Sequence, residues 1–201
     1  KPTVLRELDE AGSAFNRMVQ GLKERNLIRD LFGRYVPEAV ANALVRDQGG
    51  LTPQSAVGTV LFADLAGFTA MSEKLEPSAI VEVLNGYFSA MVEIIEDHGG
   101  VVTQFQGDGI LAIFNVPAAD PDHAQKAVLA ALAMQQTVAA RTFAGQRLTC
   151  RIGINTGELV AGSVGASGRL SYTVHGDAVN IAARLEQLNK SYGTRTLISG
   201  A

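Results

Sequence analysis

Apolar residues at Val4, Leu8, Ala11, Phe15, Met18 and Leu22 recur in alternating steps of four and three. That is a heptad seam, which favours a left-handed coiled coil. Beyond Leu22 the seam would fall on Asn26 and Arg29, while the apolar residues move to Leu27, Ile28, Leu31 and Phe32, so the register breaks there. Pro37 suits the first position of a helix and opens a short one through Val40 and Leu44. Residues 47–55, with Gly49, Gly50 and Pro53, read as a linker, and a domain boundary is expected near Gly50.

From there the pattern changes. Residues 57–63 are apolar apart from Gly58 and Thr59, too short a run for a helix, and end at Asp64: a buried strand with a polar tip. Pro77 starts a helix with an expected inner face of Ile80, Val81, Leu84, Phe88, Met91 and Ile95, ended by Gly99 and Gly100. Residues 101–106 and 110–114 predict two strands of a hairpin turned at Gly107, Asp108 and Gly109. An alanine-rich helix follows over about 121–140, then strands near 148–154 and 158–163, and a glycine-rich loop at 165–168. A helix over about 177–190 and a strand at 196–199 end the chain. This order predicts an α+β fold, a ferredoxin-like or palm βααββαβ sandwich with helices over one antiparallel-rich sheet, preceded by an N-terminal coiled-coil helix.

Composition narrows the function classes. At 201 residues and 47% hydrophobic content the chain can bury one good-sized core and carry an appendage. The net charge of -3, with acids and bases interspersed, offers no basic stripe, and nucleic acid is not an expected partner. Cys150 is the single cysteine, expected to pack rather than pair, which suits a reducing compartment. No run approaches the roughly 20 apolar residues of a membrane span, and no signal-peptide pattern follows Lys1, so the piece itself is expected to be soluble. Starting without Met and directly in a helical pattern, it reads as part of a longer chain.

Two aspartates carry the candidate chemistry. A carboxylate at a strand end, Asp64, and another in a hairpin turn, Asp108, meet if their strands are neighbours, giving hard oxygen ligands suited to Mg²⁺ or Mn²⁺. Taken singly, Asp64 is equally a helix cap and Asp108 ordinary turn chemistry. The context adds Gly67, Phe68 and Thr69 directly after Asp64, where a glycine lets backbone N–H groups approach an anion. Asn180 and Arg184, four apart on a helix, can reach one ligand, and Arg151 adds a second guanidinium from a strand. Each arginine alone is equally a salt-bridge residue; together with the aspartates they fit phosphoryl chemistry. His98, His123 and His175 lack metal-ligand spacing and read as structural, and no serine elbow or cysteine-histidine pair suggests nucleophilic hydrolysis.

Four motifs, Phe62-Ala63-Asp64-Leu65-Ala66-Gly67-Phe68-Thr69, Gln106-Gly107-Asp108, Arg151-Ile152-Gly153-Ile154 and Val174 through Arg184, in this order over residues 57–199, resemble the class III adenylyl and guanylyl cyclases. The resemblance implies an obligate head-to-tail homodimer with active sites at the subunit interface. It implies that Asp64, the Leu65 carbonyl and Asp108 bind two Mg²⁺ or Mn²⁺ ions, that Arg151 with the Gly67, Phe68 and Thr69 turn holds phosphates, and that Asn180 and Arg184 of the other subunit act on the ribose and the α-phosphate. The base would be read by Gln104, Thr173 and Val174. Thr173 resembles a bacterial adenylyl type, whereas Gln104 is neither the lysine of adenylyl nor the glutamate of guanylyl cyclases; its amide offers both donor and acceptor. ATP is the expected substrate, with GTP also turned over.

In the family the chain usually continues into further strands, with a lysine that contacts the triphosphate, and this sequence ends before them. Asp9-Glu10 and Phe15-Asn16-Arg17-Met18 resemble the second helix of a HAMP signalling module, although a generic coiled coil fits the same seam. These resemblances imply a signalling helix over residues 1–30, a coupling segment over 31–50 and a catalytic domain over 51–201, in a membrane-anchored parent with its catalytic domain in the cytoplasm. Two rival readings are a diguanylate cyclase, whose Gly-Gly-Asp/Glu-Glu-Phe turn is missing, and a catalytically silent cyclase-like module, against which the intact aspartates, Asn180 and Arg184 argue.

Overall fold

The structure, a computed structural model, describes the backbone of residues 4–46, 52–166 and 169–200. Two compact units divide between Ala41 and Asn42. The first holds α1 (Val4–Tyr35), a continuous helix that runs through the register break, and α2 (Glu38–Arg46) begins directly after Pro37. Along α1 the seam residues Phe15, Met18 and Leu22 are all exposed. The expected linker begins in residues 47–51, which lie outside the described residues, and ends in strand.

The second unit is built on one sheet. Its strands are β1 (Gln54–Leu65), β2 (Val101–Gln106), β3 (Gly109–Phe114), β4 (Cys150–Ala166), β5 (Arg169–His175) and β6 (Thr196–Ile198). They are ordered β2-β3-β1-β4-β5 with every neighbour antiparallel, while β6 runs parallel to β4. The helices are α3 (Phe68–Ser72), α4 (Pro77–Asp97), α5 (His123–Ala140) and α6 (Asp177–Tyr192). This is the α+β, palm-like sandwich that the sequence predicts.

Strand alternation sorts the two faces. Leu61, Ala63 and Leu65 of β1, Ile110, Ala112 and Phe114 of β3, and Cys150, Ile152 and Ile154 of β4 form one core with α4 and α5. The opposite face carries α6. A Cβ at Gly153 would overlap the backbone of Ala182 and Glu186, so only glycine lets α6 lie this close to the sheet. On β1 and β4 the residues between the core positions, Asp64 and Arg151 among them, therefore look toward α6.

Three readings need correction. The strands expected at 148–154 and 158–163 are one 17-residue strand. Asn155, Thr156 and Gly157 look like a turn in sequence, but packing absorbs them: Asn155 Nδ2 donates to the Ala178 carbonyl at 3.0 Å, the Thr156 and Thr59 hydroxyls are 2.7 Å apart, and Gly157 leaves room for the Ala178 methyl. Of the expected glycine-rich loop, Gly165 and Ala166 are the end of β4, and Ser167 and Gly168 lie outside the described residues, after which Arg169 begins β5. β5 was hidden although Leu170, Tyr172 and Val174 alternate with polar residues. Finally, α4 buries Val83, Tyr87, Ala90, Met91 and Ile95, whereas Val81 is exposed. The buried stripe is therefore rotated from the expected one toward Val83 and Tyr87.

Candidate active site

Asp64 is the penultimate residue of β1, and its register partner on β4 is Arg151. Being directly opposite, the two side chains meet: Arg151 Nη2 donates to Asp64 Oδ2 at 2.7 Å. The same guanidinium donates through Nε to Glu186 Oε1 of α6 at 2.8 Å. Arg151 is thus gripped by two carboxylates, the salt-bridge role that the sequence left open for it.

Asp108 reaches the same place from the β2–β3 hairpin. Gln106 pairs with Gly109, leaving Gly107 and Asp108 as the turn, and Gly107 takes the left-handed φ of 64° that such turns require. A Cβ on Gly109 would sit 3.1 Å from the Gln106 carbonyl and 3.8 Å from Asp64 Oδ1, so the turn lies directly beside Asp64. The Leu65 amide donates to Asp108 Oδ2 at 3.2 Å. Burial, and then the nearby Asp64 carboxylate, push the Asp108 carboxyl up to about 6. Two carboxylates held together against their repulsion form an oxygen site that a divalent cation would relieve, so the residues fit a Mg²⁺ or Mn²⁺ ion. No group of three or more His, Cys, Asp or Glu side chains clusters among the described residues. An ion here would draw on two carboxylates, backbone and substrate oxygens, which suits Mg²⁺.

A cavity of about 210 Å³ opens beside the pair, lined by Phe62, Asp64, Gln106, Gly109, Glu186 and Gln187 among others. The other candidates are distributed around it. Gly67, with φ 76°, starts the five-residue helix α3, placing Gly67 and Thr69 at the surface after Asp64 while Phe68 packs against the core. Gln104 is exposed on β2 just after a bulge between Val102 and Gln104; bulges commonly re-aim side chains beside active sites. Thr173 and Val174 lie on β5 opposite Gly162 and Ala161. β2 and β5, although outer strands, come against each other. Asn180 and Arg184 are exposed on the outer face of α6 and do not line the cavity of their own Asp64.

Sequence reasoning missed Glu186 and Tyr87. Glu186 continues the buried stripe Ala178, Ala182, Glu186, Asn189 of α6, and a carboxylate on a stripe otherwise of small and amide residues was the available signal. Tyr87 lies fully buried in the core, and its hydroxyl has no partner among the described residues. Burial, then Cys150, Asp64 and Asp108, raise its pKa, so the ring sits within electrostatic reach of the two aspartates.

The adenylate and guanylate cyclase catalytic domain, as a family, matches residues 52–195, a span that holds every one of these side chains. The chain belongs to the class III nucleotidyl cyclases. This cyclase domain is 44% identical to "Adenylate cyclase 1" of Rhizobium meliloti (strain 1021) over 138 residues, 66% of this chain and 21% of that protein. Among solved structures, a bacterial light-regulated adenylyl cyclase matches with a TM-score of 0.78 at 26% identity, covering 92% of this chain and 56% of that one. The guanylyl cyclase Cya2 matches with a TM-score of 0.61 at 41% identity, covering 73% of this chain and 76% of that one. The chain spans between 21% and 36% of the length of curated relatives it matches.

Proposed function

We infer that this domain converts ATP to 3′,5′-cyclic AMP and pyrophosphate, with slower turnover of GTP, in sites shared between two copies of the chain. The observation that carries the reading is the meeting of Asp64, Asp108 and Arg151 on the α6 face of the sheet. Asp64, the Leu65 carbonyl and Asp108 would hold two Mg²⁺ or Mn²⁺ ions, which supply charge neutralisation and a more acidic 3′-hydroxyl when bound. Arg151, with the turn at Gly67, Phe68 and Thr69, orients the triphosphate, its planar donors matching phosphate oxygens. The partner's Asn180 positions the ribose, and the partner's Arg184 stabilises charge on the α-phosphate as the 3′-oxygen attacks and pyrophosphate leaves. The exposure of Asn180 and Arg184, away from the Asp64 cavity of their own chain, favours a site completed by a second subunit.

Thr173 and the similarity to an adenylate cyclase favour ATP. The Gln104 amide, which can serve either purine, and the similarity to a guanylyl cyclase favour GTP as an accepted substrate. The exposed seam of α1, together with the 92% coverage by a light-regulated adenylyl cyclase, supports a signalling helix over residues 1–30 and a coupling segment over 31–50 ahead of the catalytic domain. The parent is then a membrane-anchored receptor with this domain on the cytoplasmic side. The test is product formation from ATP and from GTP with Mn²⁺: cyclic AMP should form faster than cyclic GMP, and Asp64→Ala should abolish both. Faster cyclic GMP formation overturns the ATP assignment, and a wild type that stays inactive with the family's carboxyl-terminal strands restored favours a catalytically silent module instead.

A further inference from the structure

The Arg151 guanidinium is held by two carboxylates of different standing. Asp64, a candidate metal ligand, takes Nη2, while Glu186, which takes Nε, has no place in the metal set. Glu186 is only 8% exposed and is carried by α6, whose seat on Gly153 is fixed by backbone-to-backbone contact, so its carboxylate is anchored to the sheet. Burying a carboxylate costs several kcal/mol unless it is paired, and Arg151 is the partner that offsets this cost. The two grips differ in what happens on ligand binding. A cation that takes Asp64 draws charge from the carboxylate that Nη2 holds and so loosens that grip, whereas Glu186 keeps its charge for Nε.

We propose that Glu186 is a positioning residue that keeps the Arg151 guanidinium beside Asp64 when metal and nucleotide take over that carboxylate, so that the freed Nη2 turns to a phosphate oxygen of the triphosphate. An arginine has five N–H donors in a rigid fork, so fixing Nε fixes the direction of the others. In the unliganded protein the Asp64 carboxylate occupies the Nη2 donor that a phosphate oxygen would take. Without the Glu186 acceptor, the long arginine side chain loses its orientation and must regain it at each binding event, an ordering cost that weakens binding. This inference rests on the cyclase reading for the identity of the anion, but not for the coupling between Glu186 and Arg151.

The test is the binding of inorganic tripolyphosphate in the presence of Mn²⁺, measured by calorimetry on the full chain, which needs neither turnover nor a base. Glu186→Leu should weaken binding roughly ten-fold, and Glu186→Gln, which keeps an acceptor at the same place without the charge, should lie within about three-fold of wild type. In an Arg151→Lys background, where the fork is gone, Glu186→Leu should have no further effect. In turnover the Glu186→Leu loss should appear in KM more than in kcat, because the contact exists before the transition state. Circular dichroism and the thermal midpoint of each variant establish that α6 remains folded; if Glu186→Leu does not fold, Glu186→Ala, which also removes the acceptor, and Arg151→Lys singly and together carry the same cycle. Equal losses for Glu186→Leu with Arg151 present or replaced overturn the proposal, as does a Glu186→Gln as impaired as Glu186→Leu, or a wild type that binds no tripolyphosphate. Retained coupling in a protein that forms no cyclic nucleotide even with the family's carboxyl-terminal strands restored leaves the proposal standing and counts against the cyclase reading instead.

Discussion

Tyr87 shows at the level of one side chain how the core is constrained beneath the site. Its ring packs edge-on to Phe143 with centroids 6.0 Å apart, yet its hydroxyl is buried without a partner among the described residues. An unpaired buried hydroxyl costs about 1–3 kcal/mol, so Tyr87→Phe, which keeps the ring, should leave the denaturant midpoint unchanged or raise it. A fall of more than about 1 kcal/mol would show that the hydroxyl is satisfied after all. At this scale Asp64, Asp108, Arg151, Asn180 and Arg184 are legible in the sequence because they stand together in four motifs, although each alone also reads as a cap, a turn or a surface residue. Glu186 was not, because a lone glutamate two positions after an arginine on a helix reads as surface charge. Its meaning comes only from the register that sets Arg151 opposite Asp64 and from the face on which α6 lies.

Among the elements, the helices and the β2–β3 hairpin followed from periodicity and turn residues, whereas β4 read as two strands and β5 was not expected. Periodicity fails where polar residues are consumed by a neighbouring element rather than by solvent, and Asn155, Thr156 and Gly157 are spent on α6 and β1. Gly153 matters most to that packing. Gly153→Ala forces α6 off the sheet and moves Glu186 with it, so it should destabilise the fold by about 2 kcal/mol or more and weaken activity. Thermal unfolding and a rate measurement check this, and a stability equal to wild type would contradict the close seat described for α6.

For the whole molecule, the question is what a second copy contributes. Phe15, Met18 and Leu22 are 60%, 55% and 43% exposed on α1, an uncovered apolar seam of the kind that pairs two helices. Removing residues 1–45 should therefore lower both the dimer fraction and the specific rate, read by sedimentation and by product formation at one protein concentration. Unchanged values would separate the helix from the catalytic assembly. The seam itself was plain in the sequence; a second chain across the site was implied by the family resemblance and acquires a geometric reason only from Asn180 and Arg184 facing away from their own cavity.

The measurement that bears most directly on a shared cyclase site is complementation between two inactive variants. Asp64→Ala and Arg184→Ala should each form almost no cyclic nucleotide alone. Mixed in equal amounts and allowed to exchange subunits, half the dimers hold one intact site of two, so roughly a quarter of the wild-type rate should return. Inactive variants that stay inactive when mixed, although exchange is verified, would contradict a site built from both chains.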